Sequence, residues 1–328
     1  MRRPAGRGIK GVWRGLMGDG PLHRTAKRAR SSRRSLRVLL KLLVFGAVTF
    51  FVLFPNPVQF VRHLIHVSDM QAMIEPDAPQ LAGWEAEFRR RVAEKQQAWQ
   101  RAEATSTQPY GHHEVQQELE RFVYEKVKYD WDWNVWGSAD YMPTVEEMFD
   151  QAARSPDGQM REDCDGRAII AASLLRRLGY ASTVVTDLRH VWVTTGEGEW
   201  MGPGRTKTIV SSDEGNRTAF FATLGNMPVA LSYGLAVFPL WRELIILGTA
   251  FLLTLGGRMA WGPTAFGGML LLQGLLFMRL GYLAPQGVSG SGAAWPVWVG
   301  VMHMLGGFGV LLLPSFHARR TSGFSPNG

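Results

Sequence analysis

The chain has 328 residues, of which 46% are hydrophobic, with a formal net charge of +8 and a single cysteine. This length allows one or two domains. The charge is uneven: residues 1–37 hold 12 Lys/Arg and one acid, residues 57–217 hold 18 Lys/Arg and 26 Asp/Glu, and the rest of the chain from 218 holds five Arg and one Glu. The basic residues precede an apolar run, which indicates an anionic lipid surface as their partner and excludes a nucleic-acid-binding protein.

Four apolar segments are long enough to cross a bilayer, which needs about 20 residues. The second is the weakest, because Arg242 shortens its uncharged part to residues 244–257. The basic tail predicts a cytoplasmic N-terminus, and four crossings then place residues 56–235 outside the membrane and both termini inside. The predicted spans cover residues 36–54, 237–257, 264–283 and 295–314.

A cleaved signal peptide is the alternative for residues 1–55. Such peptides have a shorter apolar core and a small-residue cleavage site, and no Ala-x-Ala pattern follows Phe54. The sequence therefore favours an uncleaved signal anchor. The predicted organisation is a basic tail (1–35), the anchor (36–55), an extracytoplasmic domain (56–218), an interfacial lead-in (219–236), three spans (237–316) and a cytoplasmic tail (317–328).

Within the domain, apolar residues at helical spacing predict helices at 79–104 and 113–128, a lead-in (79–128) to a core at 129–213. Thr144 and Glu147 have the spacing of a capping box and predict a short helix after them. Alternating β-branched residues predict strands at 182–187 and 190–195, and residues 206–211 are a candidate third strand.

Cys164 opens a run with apolar residues at helical intervals that ends at Gly179, which predicts a helix beginning at the cysteine. The positive end of a helix favours the thiolate, whereas the neighbouring Asp163 and Asp165 oppose it. A lone cysteine in an exported domain has no disulfide partner within the chain, so it is either a buried apolar residue or a thiol kept for chemistry. Because His190 on the next predicted strand pair can accept its proton, the sequence favours a nucleophilic cysteine site.

Five motifs in one order carry a family resemblance. They are V-K-Y-D at the end of a helix, Pro143-x-x-Glu146, Asp163-Cys164 with Ala168, the run from Leu175 to Gly179 and Tyr180, and His190-x-Trp192-Val193. Over residues 114–213 the chain resembles the transglutaminase-like superfamily, an α+β, papain-like fold in which a cysteine helix packs on an antiparallel sheet. The run D-W-N-V-W-G-S-A-D-Y also resembles a region of periplasmic transglutaminase-like cysteine proteases. The resemblance implies Cys164 as nucleophile and His190 as general base and acid.

The chain departs from this family at the third catalytic residue. The family places an Asp or Asn about 15 residues after the histidine, in a Trp-x-x-x-Asp-Pro context. Trp200 matches the tryptophan, but no acid stands at the expected position. Asp213 and Asp187 are the alternatives, and Asp187 is the weaker one because residues three apart on a strand face opposite sides. For the oxyanion we expect the Cys164 backbone N–H and a donor from Trp136 or Tyr141.

Metal sites are weakly indicated. His112 and His113 are adjacent, so their side chains diverge, and no third ligand has zinc spacing. Asp130, Asp132 and Asn134 have calcium-loop spacing, but the glycine and glutamate of an EF-hand are absent. We therefore expect no cofactor, and keep a calcium site of another type on these acids as the alternative.

Two functions follow as hypotheses. The first is a multi-pass protein of the bacterial cytoplasmic membrane whose extracytoplasmic thiol enzyme cleaves or transfers amide acyl groups of a protein or peptide substrate. The second is a catalytically inactive transglutaminase-like domain that binds a peptide or an envelope polymer, which the missing third residue favours. Both expect membrane lipid as a partner and no nucleic acid. A transporter is disfavoured, because paired intramembrane charges and broken helices are scarce.

Overall fold

A computed structural model describes residues 21–102, 111–186, 190–202, 234–255, 261–283 and 295–312. The described chain is mixed α+β, mostly helical, with one two-stranded and one three-stranded sheet. It divides into two units, residues 1–49 and 50–328. The predicted α+β class is confirmed at this level.

The first helix, α1 (Pro21–Leu53), is 33 residues long. Its segment Ser35–Leu53 has a mean hydropathy of 2.2, and none of it is buried. A helix segment that is apolar on every side and exposed suits a hydrocarbon environment, so the first predicted span is confirmed as a candidate membrane helix.

The domain begins with helices that enclose its core. α2 (Pro57–Ser68) was not expected from the sequence; its cap, Asn56, accepts hydrogen bonds from the N–H groups of residues 58 and 59. A 3₁₀ turn (Met70–Met73) follows. The next two helices, α3 (Leu81–Ala102) and α4 (His112–Lys126), lie where apolar periodicity predicted them.

A small parallel sheet frames the segment before the cysteine helix. β1 (Val127–Tyr129) pairs with β2 (Met160–Glu162), with Val127 opposite Met160. Between them lie α5 (Asp132–Val135) and α6 (Val145–Arg154). The capping box predicted at the start of α6 is present, because Thr144 Oγ1 accepts from the Glu147 N–H and the Glu147 carboxylate accepts from the Thr144 N–H.

The central helix, α7 (Cys164–Arg177), begins at the cysteine as predicted and is buried along most of its length. It packs on an antiparallel sheet of β3 (Ser182–Thr186), β4 (Val191–Thr195) and β5 (Gly198–Trp200). The first two strands are those expected from alternation, and Val184 lies opposite Val193. Both valines belong to the same buried core as α7. The predicted strand at 206–211 lies outside the described residues.

Three helices follow the domain: α8 (Leu240–Thr254), α9 (Trp261–Leu283) and α10 (Trp295–Leu312). α9 and α10 are long and apolar enough to span a membrane. α8 has only 15 residues, about 22 Å, against a hydrocarbon core of about 30 Å. The described residues thus supply three candidate spans, and α8 is not among them, so the fourth crossing and a shared side for both termini stay predictions. The lead-in at 219–236 lies largely outside the description.

Candidate catalytic site

Cys164 and His190 line one cavity of about 300 Å³, located where the start of α7 meets the start of β4. The cavity is walled by apolar residues of α2 and the 3₁₀ turn on one side, including Val67 and Met70. Its other polar walls are His63, Asp140, Asp163, Asp165 and Thr186. The two residues proposed from the sequence as nucleophile and base are therefore brought together.

The Cys164 thiol is half-buried at the first position of α7, after the cap residue Asp163, whose carboxylate accepts from the Asp165 N–H. The Val191 N–H donates to the Cys164 sulfur. Burial, and then the negative charge of Asp163, raise the pKa of the thiol well above its ordinary value, and the Val191 hydrogen bond only partly offsets them. The resting Cys164 side chain is consequently a thiol.

The His190 ring is oriented by a backbone carbonyl. Its Nε2 lies 2.8 Å from the carbonyl oxygen of Met201. Because a carbonyl only accepts, Nε2 carries the proton, and in the neutral ring Nδ1 is the basic nitrogen. Met201 is buried and has φ of +62°, the only positive φ of a non-glycine residue in the described chain. The left-handed backbone conformation of Met201 thus places its carbonyl oxygen within hydrogen-bonding distance of the imidazole.

Three carboxylates gather beside the thiol: Asp132, Asp140 and Asp165 each offer an oxygen within 4.8 Å of the others. Burial, then repulsion from Asp163, raises the pKa of all three, that of Asp140 to about 6. Carboxylate oxygens are the ligands that hard cations such as Ca²⁺ prefer, so these are the residues able to hold one. Of the acids singled out for calcium from the sequence, only Asp132 belongs to this group.

The other two members of that sequence triplet are engaged with each other, since Asn134 Nδ2 donates to Asp130 Oδ1 at 2.7 Å. The adjacent histidines do not form a metal pair either. His112 contacts the Tyr180 hydroxyl, and the His113 ring lies against Trp200. Both lie in the first turn of α4.

Trp136 and Tyr141 do not line the cavity of Cys164. Trp136 Nε1 donates to the buried Glu162 at 3.0 Å, and the Tyr141 hydroxyl donates to Glu147 at 2.7 Å. Both line a second cavity of about 710 Å³ beside α2 and α6. The geometry therefore does not favour either side chain as an oxyanion donor, and within the residues described the Cys164 N–H is the candidate that remains.

The two candidate third residues, Asp187 and Asp213, lie outside the described residues. Three groups at the site were missed from the sequence: the Met201 carbonyl, His63 and Asp140. A backbone acceptor leaves no side-chain signature. His63 lies on a helix that was not predicted, and Asp140 was read only as part of a family motif.

No family model, curated protein or solved structure matches the chain. The resemblance to transglutaminase-like proteins therefore rests on the sequence motifs alone.

Proposed function

We propose that the chain is a membrane-anchored thiol enzyme of the transglutaminase-like type, acting on amide acyl groups of proteins or peptides. One observation carries this: Cys164 at the start of α7 and His190 before β4 line a single cavity, with the Val191 N–H on the sulfur. A cysteine, an adjacent imidazole and a group that orients the imidazole are the parts of a covalent acyl-transfer site.

In this proposal Nδ1 of His190 takes the thiol proton as the sulfur attacks the substrate carbonyl carbon. Because the thiol pKa is raised, proton transfer accompanies the attack instead of preceding it. The Cys164 N–H, at the start of α7, donates to the developing oxyanion. The imidazolium then protonates the leaving amine, a thioester remains on Cys164, and water or a second amine releases the acyl group.

The positive N-terminal tail supports a cytoplasmic N-terminus and a domain on the far side of a bacterial cytoplasmic membrane.

A non-catalytic binding domain is the second candidate function, and one observation favours it. Burial, and then the carboxylates around it, raise the pKa of the Cys164 thiol, whereas cysteine nucleophiles commonly sit in electropositive surroundings. Such a domain would use the cavity to hold a peptide amide or amine without attacking it.

The test is turnover of a mixed peptide library by the full chain in detergent, with and without an added primary amine, followed by mass spectrometry. We expect hydrolysed or amine-linked peptides from the native chain and none from Cys164→Ser or His190→Ala. Asp150→Asn, an exposed change away from the cavity, is the matched control and should retain full turnover. Product formation by Cys164→Ser equal to that of the native chain contradicts the enzyme hypothesis.

A further inference from the structure

One face of α2 is apolar and exposed. Val58, Val61, Leu64 and Ile65 are between 52% and 66% accessible on a helix of only 12 residues. On a soluble domain this face would carry polar residues, and a contiguous apolar patch usually marks a contact surface.

The opposite face of α2 forms a wall of the catalytic cavity. His63 and Val67 line that cavity. The His63 ring is also fixed by the chain next to it, because its Nδ1 accepts from the Met142 N–H at 3.3 Å and its Nε2 lies 3.7 Å from Asp140. The exposed apolar face and the cavity are thus separated by the thickness of one helix, about 10–12 Å.

Chain continuity identifies what covers the exposed face. α1 ends its candidate span at Leu53, and α2 begins at Pro57. Four residues reach at most about 14 Å, so the first turn of α2 lies close to the end of a membrane helix. An amphipathic helix in that position lies in the interface, with its apolar face at the acyl boundary.

Two hydrogen bonds hold the cavity loop, one at the end of the candidate span in α1 and one at the start of the short apolar helix α8. The Ala139 N–H donates to the carbonyl of Leu53 at 2.7 Å. Arg242 Nη2, in the first turn of α8, donates to the carbonyl of Gly137 at 3.0 Å. Asp140 follows this loop directly and faces the cavity.

A charged cluster marks the level of the interface on the remaining helices. Arg279, near the end of α9, donates to Glu243 Oε2 at 2.5 Å and to the carbonyls of Ala236 and Phe238. Charges are costly in hydrocarbon and collect at its edge. The end of α8 and α9 that meets the Gly137 loop is therefore the aqueous end.

We propose that the exposed apolar face of α2 rests on the bilayer surface and holds the Cys164 cavity within about one helix diameter of it. Resting on the proposed function, this assigns the substrate class: amide bonds in the juxtamembrane segment of a membrane-anchored polypeptide. A peptide free in solution lacks the membrane anchor that would hold its amide bonds at the height of this cavity.

The first experiment places α2 and does not depend on catalysis. In a Cys164→Ala background, the full chain in phosphatidylcholine–phosphatidylglycerol vesicles carries one new cysteine, labelled with the environment-sensitive fluorophore NBD. We expect quenching by brominated lipids and a blue-shifted emission for Val61→Cys and Ile65→Cys. Ala181→Cys, beyond the far end of α7, is exposed and should show neither. Water-like, unquenched emission at both α2 positions overturns the proposal.

The second experiment places the cavity in the native chain, in which Cys164 is the only thiol. We compare labelling by soluble N-ethylmaleimide with labelling by a maleimide on a phosphatidylethanolamine headgroup through a spacer of about 15 Å. Labelling by both supports the juxtamembrane site. Labelling by the soluble reagent alone overturns it. Labelling by neither, with a reactive thiol after unfolding, instead contradicts the proposed function and leaves the position of α2 to the first experiment.

Discussion

Replacing Asp163 by Asn should activate the Cys164 thiol. The Asp163 charge is the largest cause, after burial, of the raised thiol pKa. Asparagine is as good a helix cap as aspartate, so the hydrogen bond from the Asp165 N–H is preserved. The substitution therefore removes a charge while leaving the start of α7 in place.

The magnitude follows from the separation of adjacent residues. A carboxylate about 6 Å from the sulfur, at an effective dielectric constant of about 20, interacts by about 2.8 kcal/mol, or about two pKa units. Water in the cavity and salt weaken this, and we expect a fall of about one unit. At a pH below the pKa, the fraction of Cys164 present as thiolate then rises about tenfold. Because a thiolate of lower pKa is about threefold less nucleophilic, the net reaction with a disulfide-forming reagent accelerates about threefold.

The assay is the rate of Cys164 modification by methyl methanethiosulfonate, followed by intact mass between about pH 6 and pH 10. Asp150→Asn, which removes an exposed carboxylate on α6, is the control. A thiol pKa in Asp163→Asn equal to or above that of the native chain would refute the reasoning. An equal fall in the control would also refute it, because the effect would then be one of net charge.

Two further predictions concern stability. Burial and Asp163 raise the pKa of Asp140 to about 6 from an ordinary value near 4, so the folded state binds more protons than the unfolded state and the melting temperature should fall as pH rises from about 4 to about 6. The fall should be small, because the Asp140 carboxylate, although surrounded by the walls of the cavity, keeps 63% of its side-chain surface accessible to water that screens its charge, and Asp140→Asn should flatten it; an unchanged slope contradicts the assignment. On the membrane helices, a Cβ on Gly300 would lie 2.7 Å from the Gly274 carbonyl oxygen, whereas one on Gly309 would meet nothing within 4 Å. Gly300→Ala should therefore destabilise the α9–α10 pair by about 1–3 kcal/mol in detergent melts and Gly309→Ala should not; equal melts refute the close packing.

Local patterns predicted much of this fold. The spacing after Cys164, the capping box at Thr144 and the β-branched alternation at 182–187 each encode one element through its own neighbours, and each element is present. β1 and β2 have three residues apiece, too few to show a period, and their pairing joins residues far apart in the chain. α2 was missed because its apolar face reads as a continuation of the membrane segment.

From the sequence, only those site residues whose side chains belong to a motif could be predicted. Cys164 and His190 stand in motifs, and both line the cavity. The position of Asp140 opposite the thiol depends on the Gly137–Ala139 loop, which is held by bonds to Leu53 and Arg242. No pattern within the loop encodes those partners. Trp136 directly precedes this loop, and its indole donates to Glu162, a contact that no local pattern predicts.

The Met201 carbonyl makes the site unusual to probe by mutation. A scan that replaces every side chain in turn would miss this contact, since the oxygen that holds His190 Nε2 belongs to the main chain. What matters at position 201 is the sign of φ. Glycine there should keep the carbonyl oxygen in place. Proline, whose φ is fixed near −65°, should move that oxygen away from the ring and leave His190 inactive, although the Cys164 and His190 side chains are unchanged.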